Sequence, residues 1–232
     1  MSDYLNSNKE FWGKGYNTDN FVGNVESHIF RMYGRILKYE FGIDGSNKER
    51  SLDFGCSRGA TVKFFNENGF DAYGVDISEV DIDIAKKGIP ETKNNFSIIE
   101  SKPKKDDMFF GGDFTLVTAV QSLYYYDKSD LQTRLESINN MLTDNGFVYF
   151  TMMGSKHYMY EHAELQDSGL YKVDFDLPRV QVKDYFIQFM HNEEEMIELF
   201  KIFEPLHVGF YDHKLRSDEG SGFHYTFFGK KR

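Results

Sequence analysis

Two acids and a glycine turn carry the first chemistry legible in this chain. Asp53 stands in the run Ser51-Leu52-Asp53-Phe54-Gly55-Cys56-Ser57-Arg58-Gly59-Ala60, and Asp76 in the run Phe70-Asp71-Ala72-Tyr73-Gly74-Val75-Asp76-Ile77-Ser78. A carboxylate at a strand end can accept bonds from both hydroxyls of a ribose, at roughly 1.5–3 kcal/mol for each charge-assisted bond. A carboxylate just before the turn repels a pyrophosphate and suits an ammonium group. Gly55 and Gly59 are expected to let the backbone pass close to such a ligand. The elements that would position these groups are readable nearby. Leu52 and Phe54 flank Asp53 as in a short buried strand, and Ala60 to Asn68 reads as a helix with Val62, Phe64 and Phe65 apolar and Gly69 as its stop. A second strand then runs from Phe70 to Asp76. In an open parallel sheet, ligands bind in the crevice beyond the carboxyl ends of such strands.

The turn also limits the ligand. A dinucleotide fingerprint needs G-x-G-x-x-G so that a pyrophosphate can rest on a helix N-terminus. Here the spacing is Gly55-x-x-x-Gly59, with Ser57 at the middle position. A ligand with a ribose, a cationic amino-acid tail and no phosphate is S-adenosylmethionine. On these residues the chain resembles the class I S-adenosylmethionine-dependent methyltransferases, whose first motif has the form hhDhGCGxG. The resemblance runs from about Val25 to the C-terminus and departs at Ser57, where the family usually has glycine. It implies that the backbone of Phe54, Gly55, Cys56, Ser57 and Gly59 holds the methionyl part, with Asp53 near its amino group. It further implies that Asp76 binds the ribose, that Ile77 packs on the adenine and that Glu100 or Ser101 meets the adenine amino edge. Ala119, Val120 and Gln121 would line the methionyl side, and Tyr16 from the N-terminal segment joins the cofactor-binding set. The product would be S-adenosylhomocysteine.

Composition narrows the class of protein. The 232 residues suit one domain with an insertion or cap, and 40% hydrophobic with 28% charged residues is the balance of an ordinary soluble chain. No apolar run approaches the roughly 20 residues of a membrane span, and Met1 to Asn20 is polar and aromatic rather than a signal peptide. The single cysteine, Cys56, excludes an internal disulfide, fits the cytoplasm, and reads as a small filler within the turn. A net charge of -10 argues against nucleic acid as substrate. The cluster Lys102, Lys104 and Lys105 lies beside Asp106 and Asp107 as a solvated loop would. The seven histidines lack paired spacing with an accompanying acid, so no metal is expected.

The rest of the chain reads as alternating elements. Asn8 to Gly23 carries Phe11, Trp12, Tyr16 and Phe21 without period and is expected to be a loop that folds over the domain, within an N-terminal lid segment of residues 1–23. Asn24 to Glu40 reads as an amphipathic helix, and Ser78 with Asp81 as a capping pair for a helix running to Lys87. Phe96–Ile99, Phe114–Ala119 and Phe147–Met152 read as the third, fourth and fifth strands. A helix opened by Ser129 carries Leu131, Leu135, Ile138 and Leu142 and is ended by Asn145-Gly146. This alternation predicts an α/β, Rossmann-like, doubly wound parallel sheet. Residues 153–191 break the rhythm and are expected to form a lid or cap that binds substrate. Asn192 with Glu195 then caps a helix bearing Met196, Ile197, Phe200 and Phe203, and Leu206–His213 and Phe223–Gly229 read as two last strands. In the resembled family that pair is a hairpin whose final strand enters the sheet antiparallel, giving seven strands in a single domain, here 1–232.

The reaction so implied needs alignment of nucleophile, methyl carbon and sulfur, exclusion of water, and a base if the acceptor is a hydroxyl. His157, just after the fifth strand, is the first candidate base and His191 the second. Tyr124, heading the run Tyr124-Tyr125-Tyr126, is a candidate for stacking on or hydrogen bonding to an acceptor. The acceptor is expected to be small and polar, such as a sugar, sugar nucleotide or other metabolite, methylated on oxygen first and on nitrogen as the alternative. A non-catalytic S-adenosylmethionine-binding protein is the rival from another class. A nicotinamide dehydrogenase is disfavoured by the missing middle glycine. A protein or tRNA methyltransferase is disfavoured by the absence of a basic face or recognition module. Oligomeric state is left open.

Overall fold

The computed structural model describes residues 4–13, 21–177 and 180–232. Its strands in chain order are β1 (Arg50–Phe54), β2 (Asp71–Asp76), β3 (Phe96–Ile98), β4 (Phe114–Ala119), β5 (Leu142–Met153), β6 (Ala163–Leu165), β7 (Tyr171–Leu177), β8 (Val180–Ile187), β9 (Phe203–Tyr211) and β10 (His224–Lys231). Seven of them form one sheet in the order β3-β2-β1-β4-β5-β10-β9. Neighbours from β3 to β5 pair in parallel, whereas β10 runs antiparallel to both β5 and β9. The expected doubly wound sheet with a reversed C-terminal strand is the one observed.

The α-helices are α1 (Tyr4–Gly13), α2 (Ser27–Met32), α3 (Ala60–Glu67), α4 (Glu79–Gly88), α5 (Lys128–Met141) and α6 (Glu193–Leu199). Strand side chains alternate between the two faces, so consecutive residues join different cores. Phe227 and Phe150 pack with Leu135, Phe200 and Phe203 on one face. Phe228 and Tyr149 pack with Ile29, Leu37, Phe65 and Phe70 on the other. From α5 the fully buried Arg134 reaches toward β1, pairing with Asp107 at 2.9 Å and placing its guanidinium 4.9 Å from the Phe54 ring centre.

Several boundaries differ from the sequence reading, each for a tertiary reason. The helix expected over 24–40 starts at Ser27, and its second half, Tyr33–Lys38, winds in wider π-helical turns. Asp127, not Ser129, caps α5, accepting from the Asp130 N–H at 2.8 Å. That helix stops at Met141 because Leu142 already pairs with Phe114, and a register shift absorbs the residues before Phe147. Phe203 belongs to β9 rather than to α6. Ser78 caps α4 as expected, but the Asp81 carboxylate turns away to pair with Arg58 at 3.0 Å. Asn192 caps α6 as expected, accepting from the Glu195 N–H at 2.8 Å, and the Glu195 carboxylate reaches back past the cap residue to accept from the His191 N–H at 2.8 Å.

The two segments that lacked period are ordered by contacts with each other. Within 153–191, a short 3-10 turn (Tyr158–His162) leads into the antiparallel sheet β6-β7-β8. The loop expected from Asn8 onward is overturned over residues 8–13, which belong to α1, and this helix packs on β8. The Asn8 side chain explains the docking. Its Nδ2–H donates to the Phe186 carbonyl at 2.9 Å and its Oδ1 accepts from the Phe186 N–H at 3.0 Å, imitating a strand partner. Tyr4 adds a 2.6 Å bond to Asp130 of α5.

Candidate active site

At the carboxyl edge of β1, β2 and β4 lies a cleft of about 430 Å³ whose walls include Asp53, Phe54, Gly55, Cys56, Ser57, Asp76 and Ile77. The chain leaves β1 at Gly55 with φ +80° and reaches Gly59 with φ +83°. Both values lie in the region that glycine tolerates best. The close approach expected of these glycines is to protein. A Cβ on Gly55 would stand 2.4 Å from the Ser122 Cβ, and one on Gly59 2.9 Å from the Phe96 ring. Gly59 lies beneath the cleft rather than on its wall. Ser57 also has positive φ, +46°, which accounts for glycine being usual there in the resembled family.

Each acid is held by the local fold. Asp53 is buried, and its Oδ1 accepts from the Thr118 hydroxyl at 2.6 Å. Burial pushes its carboxyl up to about 6, with Asp76 adding to the rise and bonds from Thr118 and Thr61 opposing it. Among the described residues no cation pairs with Asp53, so a buried carboxylate faces the cleft without a counter-charge. That is the feature an incoming ammonium would complete. Asp76 accepts from the Ser57 N–H at 2.7 Å and the Ser78 N–H at 2.9 Å, leaving further lone pairs for hydroxyl donors. Its carboxyl too is raised by burial, against those backbone bonds. Cys56 is buried with its thiol pushed up by burial, as fits a filler.

The remaining candidates separate where the chain leaves β3 and β4. Ile99 and Ser101 line the cleft, whereas Glu100 between them points to solvent and pairs with Lys104 at 3.3 Å. Val120 and Gln121 line it, whereas Ala119 is fully buried in the core. Tyr16 lies outside the described residues.

The three catalytic candidates do not line this cleft. His157 is buried beside Tyr158 and His224, and its Nδ1 accepts from the Met159 N–H at 3.2 Å. Burial, with His224 nearby, lowers its pKa to about 3. Proximity to the end of β5 is not access, because the chain turns at Gly154 and folds His157 under the loop after β9. His191 borders a different cleft with Glu195, Tyr171 and Lys201. Tyr124 is buried against Tyr125 and His224. Its neighbours Tyr125 and Tyr126 are the ones on the cleft wall.

Beyond the two acids the cleft continues to Asn8 and Trp12 from α1, Glu26, Gln121 and Tyr125. Gln121, at φ +52°, sends its Nε2–H groups to Glu26 Oε1 at 3.3 Å and to the Tyr211 hydroxyl at 3.1 Å. Glu26 Oε2 also meets Nε2 of His28 at 3.1 Å and Nε2 of His213 at 2.9 Å. Burial raises the Glu26 carboxyl, but these histidine contacts outweigh it and hold the group below its ordinary value. Glu26 escaped the sequence reading, although one local signal exists. It occupies the N-cap of α2, where Ser or Asp is favoured, and its side chain makes no cap.

A sheet in this strand order, with two strand-end acids around a cleft at its carboxyl edge, defines the class I S-adenosylmethionine-dependent methyltransferases. A family model described as a methyltransferase domain matches residues 25–201, and the chain belongs to that family. No curated protein matches the chain. Among solved structures, an S-adenosylmethionine-dependent methyltransferase from Anabaena variabilis aligns with TM-score 0.71 and 18% identity, covering 100% of this chain and 96% of that one. Magnesium protoporphyrin IX methyltransferase from Synechocystis, with bound S-adenosylhomocysteine, gives TM-score 0.63 at 14% identity and covers 100% of both chains. A methyltransferase from Methanosarcina mazei gives 0.63 at 15%, covering 83% of this chain and 97% of that one. At these identities the likeness is one of fold. The protein is an enzyme of this class, and its cofactor is S-adenosylmethionine.

Proposed function

We propose that this cytosolic enzyme methylates a small polar acceptor, on oxygen in the first place, and that the acceptor binds between Glu26, Gln121, Tyr125 and α1. The observation that carries this reading is the extension of the cleft past Asp53 and Asp76 into an end walled by a carboxylate, an amide and aromatic rings. The cofactor, when bound, supplies a methyl group already activated by its positive sulfonium. Asp53, steered by Thr118, receives the ammonium group, and Asp76, fixed by two backbone N–H donors, receives the ribose hydroxyls. Ile77, Ile99 and Ser101 form the adenine side, and Val120 with Gln121 borders the methionyl side. The insertion 153–191 supports α1 through Asn8, so that Trp12 and Asn8 roof the acceptor end and exclude water. Holding the acceptor in line with the methyl carbon can supply about 7–11 kcal/mol in favourable cases.

The test is incubation of the protein and cofactor with pooled polar metabolites, following release of S-adenosylhomocysteine and the methylated product by mass spectrometry. Turnover with a hydroxyl-bearing metabolite is expected, and Gln121→Ala should lower its rate more than it lowers cofactor affinity. Cofactor binding without any product across the pool would instead favour a non-catalytic binder.

A further inference from the structure

We propose that Glu26, His28 and His213 form a binding site for a divalent transition cation of zinc-like preference at the acceptor end of the cleft. The inference rests on reading that end as the acceptor site.

One donor atom from each of the three residues lies within 4.8 Å of the others. Glu26 Oε2 is 3.1 Å from His28 Nε2 and 2.9 Å from His213 Nε2. A zinc ion bound at about 2.0–2.2 Å spaces tetrahedral ligands by roughly 3.3 Å, so Glu26 Oε2 already stands near ligand spacing from each histidine, and the two histidine nitrogens need only settle around the ion from within 4.8 Å of each other. Two imidazoles and a carboxylate are a donor set that suits zinc, and three protein ligands with a free fourth position mark a catalytic rather than a structural site.

The surroundings orient the donors. His28 Nδ1 is 2.9 Å from the Tyr149 hydroxyl, whose oxygen can accept the ring N–H and leave Nε2 free to ligate. The His28 ring is clamped by Tyr211, stacked at 4.1 Å with an interplanar angle of 8°. Gln121 holds the other Glu26 oxygen. His28 is buried, His213 is 45% exposed, and Glu26 alone of the three lines the cleft. A cation here would be reached from solvent on the His213 side. Its free position would face the acceptor, where it would polarise an oxygen donor.

Spacing along the chain hides this set. Glu26 and His28 are two positions apart, but His213 lies 187 positions from Glu26 and arrives only because β9 delivers it to the start of α2. The expectation of no metal rested on local spacing alone.

The full chain, stripped with a chelator, is titrated with cobalt(II) and followed by visible absorption and calorimetry, with zinc as competitor. Saturation near about one equivalent, with bands displaced by zinc, is expected. The bands should be lost in both His213→Ala and Glu26→Gln, checked as folded by their thermal melts. His213 is half-exposed in a loop and Glu26→Gln preserves shape, so the two variants guard against simple misfolding. Absence of saturable binding in the wild type, or equal binding in His213→Ala, overturns the site. S-adenosylmethionine affinity is measured on the same stripped samples. Cofactor binding and turnover that persist without any cation site remove the metal and leave the methyltransfer reading standing.

Discussion

Asp53 concentrates the electrostatics of the cofactor cleft in one carboxyl. Burial holds it at about 6 against an ordinary 3.8. The folded protein therefore keeps this proton to higher pH than the unfolded chain does. The contribution to stability is full below about pH 4 and is lost as pH rises through 6. Asp53→Asn is expected to raise the stability of the cofactor-free protein at pH 8 by up to about 3 kcal/mol, and by little near pH 4. Denaturant titration at the two pH values checks this. With Asp53 placed at the ammonium group, the same substitution should weaken the cofactor about 10- to 100-fold at pH 8. Wild-type affinity should also fall as pH drops below 6 and the carboxyl takes up its proton. A calorimetric affinity that stays flat from pH 8 to pH 5 would point to another partner for the ammonium.

At the scale of elements, α1 and the β6-β7-β8 sheet depend on each other. Neither is predicted by period, and the pair of Asn8 bonds to Phe186 is what a strand would otherwise supply. Losing both bonds costs on the order of 1–2 kcal/mol locally. Asn8→Ala should therefore speed amide exchange in α1 and β8 by roughly 5- to 30-fold while leaving β1, β4 and β5 unchanged. Hydrogen-exchange mass spectrometry resolves the two regions, and uniform acceleration across the chain would refute separate opening of the roof. Trp12 and Asn8 line the cleft where the acceptor is proposed to bind, so on that proposal the same loosening should raise the KM for the acceptor more than that for the cofactor.

Across the whole molecule, acid stability turns on groups buried without charge. His157 has an ordinary value of 6.5 lowered to about 3 by burial, with His224 and His213 adding to the fall and Asp212 opposing it. Its contribution is present above about pH 6.5 and is lost as pH falls toward 3, because the unfolded chain binds the proton first. Wild-type stability should drop by a few kcal/mol between pH 7.5 and 4.5 on this account. Asp53 acts in the opposite sense, so the decisive measurement is the difference between wild type and His157→Gln, whose profile should be flatter. Identical profiles would remove His157 as the source. Much of this molecule was legible locally. Leu52 to Gly59 and Phe70 to Asp76 announce strand, turn, helix and strand because alternation and glycine punctuation act over a few residues. Their acids meet at one cleft because parallel strands of one sheet end on the same side. Glu100 turns to solvent beside Lys104 just past β3, and Ala119 ends β4 in the core, so the cleft is reached by Ser101 and by Val120 with Gln121. The sheet, the turn and the two acids could be read from local order alone. Long-range folding sets His157 and His191 away from the cleft, brings α1 and Glu26 to its wall, and holds His28 and His213 against Glu26. Those placements depend on strand order and loop return, which bring together residues far apart in the chain and leave no periodic trace in it.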